Sequence, residues 1–204
     1  MEEDAVVTDV SPGGGRTPSR ALEQALVDAA ERVLVRDGLA GLTVRAVATE
    51  AGVAPMGVYN RFGNKDGLVA AVLARGFEGL RAATAAADDP DPAARLLTCG
   101  RNYRRFALEN PQHYSAMFGA GFASATPTQE LVEQADAAFQ ALVDQVRHAM
   151  DRGVLRAGDP VGTAQLVWSS VHGAVSLELA GMSQTADPSA SYEALLQMDI
   201  DGLR

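Results

Sequence analysis

Apolar residues recur along this chain at intervals of three and four, and nowhere alternate with polar ones over the length of a strand, which predicts an all-α protein. After an acidic, Gly-rich start, Thr17-Pro18 reads as a cap and first turn opening a helix to about Asp37. Its stripe is Leu22, Leu26, Ala29, Ala30, Val33 and Leu34, and Gly38 is its stop. Thr43 caps a short helix whose apolar face is Val44, Val47, Ala48 and Ala51, and Gly52 ends it in a conformation only Gly adopts freely. Pro55 suits the first turn of a third helix, with Val58 and Phe62 inward. Asn64 caps a fourth, expected to run to roughly Ala87, before the DDPDP breaker.

Beyond the breaker the periodicity predicts helices at about 93–109, from Pro111 over a short stretch, 128–152, 161–181 and 189–203, with GAGFASATP as a loop. The 161–181 helix carries two apolar stripes: Val161, Ala164, Trp168, Val171, Val175 and Met182, and a smaller-residue stripe of Leu166, Ser170, Gly173, Leu177 and Ala180. A helix apolar on two faces is either central in its own domain or packs on its core and on a partner, and in a chain this short the second is expected. The expected organisation is a disordered arm over 1–16, a small helical domain over 17–80 and a larger helical bundle over 81–204.

Composition narrows the class. The chain is 47% apolar and only 5% aromatic, suiting helices packed through Ala, Leu and Val. No apolar run approaches the roughly 18 residues that span a bilayer, and the N-terminus MEEDAVVTDV is acidic where a signal peptide would be basic. A cytoplasmic location and no membrane partner are therefore expected. Cys99 is the single cysteine, which excludes an intrachain disulfide and a thiol-based zinc site and suits a small buried apolar residue. His113, His148 and His172 are too scattered for a zinc site. No phosphate-binding Gly loop, Gly-x-Ser-x-Gly or HExxH is present, so neither catalysis nor a cofactor is expected.

The net charge of −9 conceals a division. Residues 1–15 hold four acids and no base, residues 16–75 eight bases and six acids, and residues 76–204 nine bases and sixteen acids. Only the middle stretch avoids an acidic excess, and that stretch contains two short helices joined by a tight Gly turn. Such a pair forms a helix-turn-helix, whose second helix enters the major groove of double-stranded DNA. Met56, Gly57, Tyr59 and Asn60 face outward, with Arg61 on the flank. Arg45 and Lys65 bracket them, suited to clamping phosphates. Lys65, the only lysine, opens a helix at the end where the dipole disfavours a cation, an imbalance that a phosphate would reverse. Arg16 and Arg20 are placed either as a basic arm or as solvated linker charges.

At these residues the sequence resembles the TetR family of transcriptional regulators. The resemblance rests on Thr43, the turn Ala51-Gly52-Val53, the run Tyr59-Asn60-Arg61-Phe62 and Lys65. It covers roughly residues 18–80. Ala54, Gly57 and Arg61 depart from the residues usual at those places. The segments NPQHYSAMFG and WSSVHGAVSLELAG resemble, more weakly, the WHG-type C-terminal domain of some family members. The fold this implies is an N-terminal three-helix helix-turn-helix domain joined to a larger C-terminal helical bundle. The function it implies is a homodimeric repressor acting on a two-fold symmetric operator and released by a small-molecule effector.

By periodicity alone, Tyr103, Phe106, Tyr114, Met117, Phe118 and Phe139 either fill a core or line a cavity. The resemblance implies a cavity, to which Trp168 and His172, four residues apart on one face, would contribute. His172 alternatively is a buried histidine bonded to a carbonyl. The effector expected there is largely apolar and neutral or weakly cationic, since bases are sparse over 106–181. Dimer contacts are expected through Ser170, Gly173 and Leu177. The alternative reading is a helical small-molecule-binding or protein-interaction module whose helix-turn-helix no longer binds DNA.

Overall fold

A computed structural model describes residues 19–85 and 89–204, which form ten helices and no strand. In order these are α1 (Ser19–Gly41), α2 (Val44–Ala51), α3 (Pro55–Phe62), α4 (Lys65–Thr84), α5 (Pro92–Glu109), α6 (Pro111–Phe118), α7 (Ala120–Ser124), α8 (Gln129–Asp151), α9 (Pro160–Leu179) and α10 (Pro188–Leu203). The expected arm over 1–16, Arg16, the Thr17-Pro18 cap and Ala87 lie outside the described residues.

Local chemistry accounts for the boundaries. Thr43 Oγ1 accepts from the Ala46 amide at 3.2 Å, Asn64 Oδ1 from that of Gly67 at 2.8 Å, and Thr128 Oγ1 from that of Leu131 at 3.2 Å. Asp91, Asp159 and Asp187 cap α5, α9 and α10, each followed directly by Pro at the first helical position. Gly52 turns out of α2 at φ 67°. Gly38 also takes a positive φ, so α1 kinks there and adds a last turn to Gly41 instead of stopping.

Three expectations are corrected. GAGFASATP is not wholly a loop: Ala120–Ser124 form α7, held by Phe122, whose ring meets Phe77 edge-on at 6.1 Å. One anchoring aromatic in a run of small residues is too little periodicity to detect. The fourth helix is described to Thr84, short of Ala87. Val161 and Met182, assigned to the core stripe of this helix, are exposed, and Met182 lies beyond the end of α9.

α4 is the spine. Leu68, Val69, Val72, Leu73, Phe77 and Leu80 are buried around its circumference, because α1, α3, α5, α6, α7 and α8 all pack against it. One cluster of buried residues runs without a break from Leu26 in α1 to Leu196 in α10. Besides the covalent path through α4, α6 lies directly against α1, with His113 Nε2 3.6 Å from Glu31 Oε1.

Candidate DNA-reading face and effector cavity

The helix-turn-helix presents the outward face that its periodicity predicts. Val58 is fully buried beneath α3, and Phe62 packs on the same core. On the opposite side Met56 is 64% and Tyr59 47% exposed, so the outward face of α3 carries two large apolar side chains in solvent. Asn60 is exposed beside them, and Gly57 half-buried. Ala54 has no side-chain oxygen, so α3 begins uncapped.

The cations of this region sort into two groups. Arg32 and Arg36 pair with Glu50, Arg75 with Asp28 and Glu31, and Arg61 with Glu23. Arg20, Arg45 and Lys65 are exposed and make no ion pair with any described residue. The pairing holds α1 to α2, α3 and α4, while of the unpaired cations Arg45 lies in the first turn of α2 and Lys65 opens α4 directly after α3. Arg61 therefore differs from its expected companions, because its guanidinium is drawn back onto α1.

The second feature is a cavity of about 530 Å³ among α4, α5, α6, α7, α8, α9 and α10. Its inner end is formed by the buried Phe77, Leu80, Leu96, Cys99, Tyr103 and Met117, and its mouth by the exposed Gly119, Phe122, Ala123, Asp136 and Gln165. Phe118, Phe139 and Trp168 line the wall, their rings linked through Phe118–Trp168 and Phe139–Trp168 contacts at 5.9 Å. Burial pushes the Cys99 thiol up to about 11, so it is an apolar wall group and not a nucleophile.

Of the eight residues that the sequence offered for this cavity, Tyr103, Met117, Phe118, Phe139 and Trp168 line it. Phe106, Tyr114 and His172 do not. Phe106 turns toward α4, where its ring passes Gly79. Tyr114 and His172 stand behind Tyr103: the Tyr114 hydroxyl is 2.7 Å and the Tyr103 hydroxyl 2.9 Å from His172 Nδ1, and the two hydroxyls are 3.1 Å apart. Trp168 Nε1–H donates to the Tyr103 hydroxyl at 3.2 Å. His172 thus bonds to tyrosine hydroxyls and not to a carbonyl. Burial lowers its pKa and raises those of both tyrosines, so all three stay neutral near pH 7.

The wall residues missed in the sequence were partly legible there. Phe77, Leu80 and Thr84 fall on one side of α4, and Leu96, Cys99 and Gly100 on the Tyr103 side of α5. Among the described residues no His, Cys, Asp and Glu cluster fits a metal ion. No described helix is long and apolar enough to cross a membrane.

On α9, Leu166 and Leu177 are 65% and 50% exposed, and Met198 of α10 is 63% exposed. A side chain at Gly173 would meet nothing within 4 Å. Ser170, expected in the same stripe, instead donates to Asp199 Oδ1 of α10 at 3.1 Å.

Comparison with known proteins agrees with the helix-turn-helix and the helical bundle. Residues 26–72 match the domain described as bacterial regulatory proteins, tetR family. Residues 96–198 match the tetracyclin repressor-like C-terminal domain. The chain belongs to the TetR family. It is a transcriptional regulator with a DNA-binding helix-turn-helix, as the curated relatives are named. Among them is the HTH-type transcriptional regulator Rv1816 of Mycobacterium tuberculosis, 23% identical over 89% of this chain and 92% of the relative. A Rhodococcus sp. RHA1 protein of unknown function superposes with TM-score 0.79 at 26% identity, covering 95% of this chain and 99% of the other. The TetR family regulator PfmR of Thermus thermophilus shares the fold, with TM-score 0.63 at 20% identity over 88% of this chain and 98% of the other. This TetR-family regulator accordingly carries its exposed α3 face and its apolar cavity on one spine, α4.

Proposed function

We propose that the regulator is a homodimeric repressor that leaves its operator when a small, largely apolar molecule fills the cavity. The observation that carries this reading is the double role of α4: Lys65 opens it beside the α3 face, and Phe77, Leu80 and Thr84 lie on the cavity wall. Residues up to about 80 then serve DNA binding, and residues 81–204 effector binding and dimerisation.

In this scheme Met56 and Asn60 read base edges, Tyr59 meets a phosphate or a thymine methyl, and Arg45 and Lys65 hold phosphates either side. A recognition helix of eight residues spans too few base pairs for specificity, so two copies act on half-sites about 34–36 Å apart. Leu166, Gly173, Leu177 and Met198 form the apolar patch through which α9 and α10 meet their symmetry mates. A cavity with one acid and no base in its wall disfavours a buried anion. The ligand must prefer the conformation in which the two α3 helices no longer match the duplex, since equal affinity for both states shifts nothing.

The experiment follows DNA from the flank of the gene by fluorescence anisotropy while an apolar ligand such as 2-undecanone is added. Release by the wild type, weakened with ligand affinity in Trp168→Ala, is expected. Release that survives Trp168→Ala at unchanged ligand affinity would place the effector site elsewhere.

A further inference from the structure

Five aromatic rings form an unbroken belt in the cavity wall. Phe139 of α8, Trp168 of α9, Phe118 of α6, Phe77 of α4 and Phe122 of α7 follow one another ring to ring, with centroids 5.9, 5.9, 5.7 and 6.1 Å apart in that order. All five line the cavity. Their contacts are tilted or edge-on, and none is stacked. Phe122, at one end of the belt, is 48% exposed in the mouth. Phe139, at the other end, lies one turn of α8 beyond Asp136, which also borders the mouth.

Asp136 is the only charged side chain among the described residues that line the cavity, which include no Lys, Arg or His. Its carboxylate is in solvent and makes no hydrogen bond or ion pair with any described residue. The surrounding domain has the same sign, with sixteen acids and nine bases over residues 76–204. The face of an aromatic ring is the negative part of its quadrupole, so the belt and the carboxylate both favour a cation. An anion would find no partner in this wall, and burying an unpaired charge is costly.

We infer that the effector is an amphiphilic monocation, a quaternary or protonated amine on an apolar body. Its ammonium group sits at the mouth beside Asp136 and the Phe139 end of the belt, and its apolar body runs inward past Trp168 and Phe118. The carboxylate selects the sign of the charge, and the rings replace part of the water that the ammonium gives up. Because Asp136 is exposed, the empty cavity holds no buried charge, and a neutral apolar molecule still enters. This inference deepens the proposed function and rests on its reading of the cavity as the effector site.

The chain's single tryptophan lines the cavity, so its fluorescence reports binding directly. Three probes with one nonyl tail are titrated at neutral pH: nonyltrimethylammonium, 2-undecanone and decanoate. The ammonium should bind the wild type more tightly than decanoate. Asp136→Asn should weaken the ammonium by roughly twofold to fivefold, the scale of an exposed ion pair, and leave the ketone unchanged. Asp151→Asn removes an equal charge from the last residue of the same helix and should change neither. Phe139→Leu keeps the wall apolar but removes a ring, so it should weaken the ammonium more than the ketone. Four results would overturn the inference while leaving the cavity a binding site: decanoate bound as tightly as the ammonium, ammonium affinity unchanged in Asp136→Asn, an equal loss in Asp151→Asn, or equal losses of ammonium and ketone in Phe139→Leu. No response of Trp168 to any probe would overturn the cavity reading and this inference together.

Discussion

The sulfur of Met117 in α6 occupies the space that a side chain at Gly76 of α4 would need, 2.8 Å from where a Cβ would sit. The spine and a cavity-lining helix meet there with nothing between them. Met117 is 1% exposed and has no vacant direction except toward the cavity it lines. Gly76→Val should therefore cost about 1–3 kcal/mol by overpacking, read by urea denaturation. Met117→Ala alone should cost about 2–5 kcal/mol. The double variant should lose less than the two losses added, since each change relieves the other; strict additivity would deny that the two residues touch.

The side-chain caps of the DNA-binding helices should be worth measuring separately. Thr43→Ala and Asn64→Ala each remove one bond to a first-turn amide and should each lower stability by about 1 kcal/mol. Thermal melts check this. Replacement by Gly should cost only a few tenths of a kcal/mol, a contrast that a packing role for either residue would not produce.

How much of this was legible in the sequence follows from how local each cause is. The caps, Gly52 and the Val58–Phe62 spacing act within a few residues, so the helix-turn-helix boundaries and its exposed face could be read directly. The cavity is a different matter. Tyr103 and Tyr114 both belong to apolar stripes, and which of them faces empty space depends on how α5, α6 and α9 are arranged, which no spacing encodes. Arg61 illustrates the same limit: its place on the flank of α3 was readable, but its partner Glu23 lies 38 residues away. Ser170 fits a small-residue stripe, yet its hydroxyl is engaged by Asp199 across α10.

Asp199 provides a pH-dependent prediction. Burial raises its pKa above the ordinary 3.8, and its Oδ2 is buried without a partner. An acid with a raised folded-state pKa costs nothing below its unfolded pKa and progressively destabilises as pH rises from there through the folded value. Asp199→Asn, which keeps a carbonyl for Ser170, should raise the melting temperature at pH 7. The difference from wild type should shrink as the pH is lowered towards 4. A variant less stable at pH 7 would contradict this.

Assembly can be tested without disturbing the protomer. Nothing lies within 4 Å of a side chain built at Gly173, and it sits inside a helix, where any ordinary residue is favoured over Gly by up to about 1 kcal/mol. Gly173→Glu should therefore fold normally while placing charge in the proposed two-fold interface. Sedimentation at micromolar concentration should show a dimeric wild type and a monomeric variant. A monomeric wild type would contradict the two-half-site scheme.

The central claim is that DNA is held by the α3 face together with Arg45 and Lys65. The most direct test is the salt dependence of binding to DNA from the gene's own flank, by fluorescence anisotropy, for the wild type and for Lys65→Ala, Tyr59→Ala and Arg61→Ala. Lys65→Ala should lower the slope of log K against log salt by about 0.9 for each phosphate that is no longer neutralised. Tyr59→Ala should weaken binding with its slope less affected, and Arg61→Ala, whose charge is already met by Glu23, should change the slope least. Binding unchanged in affinity and slope for a folded Tyr59→Ala, Lys65→Ala double variant would contradict the account.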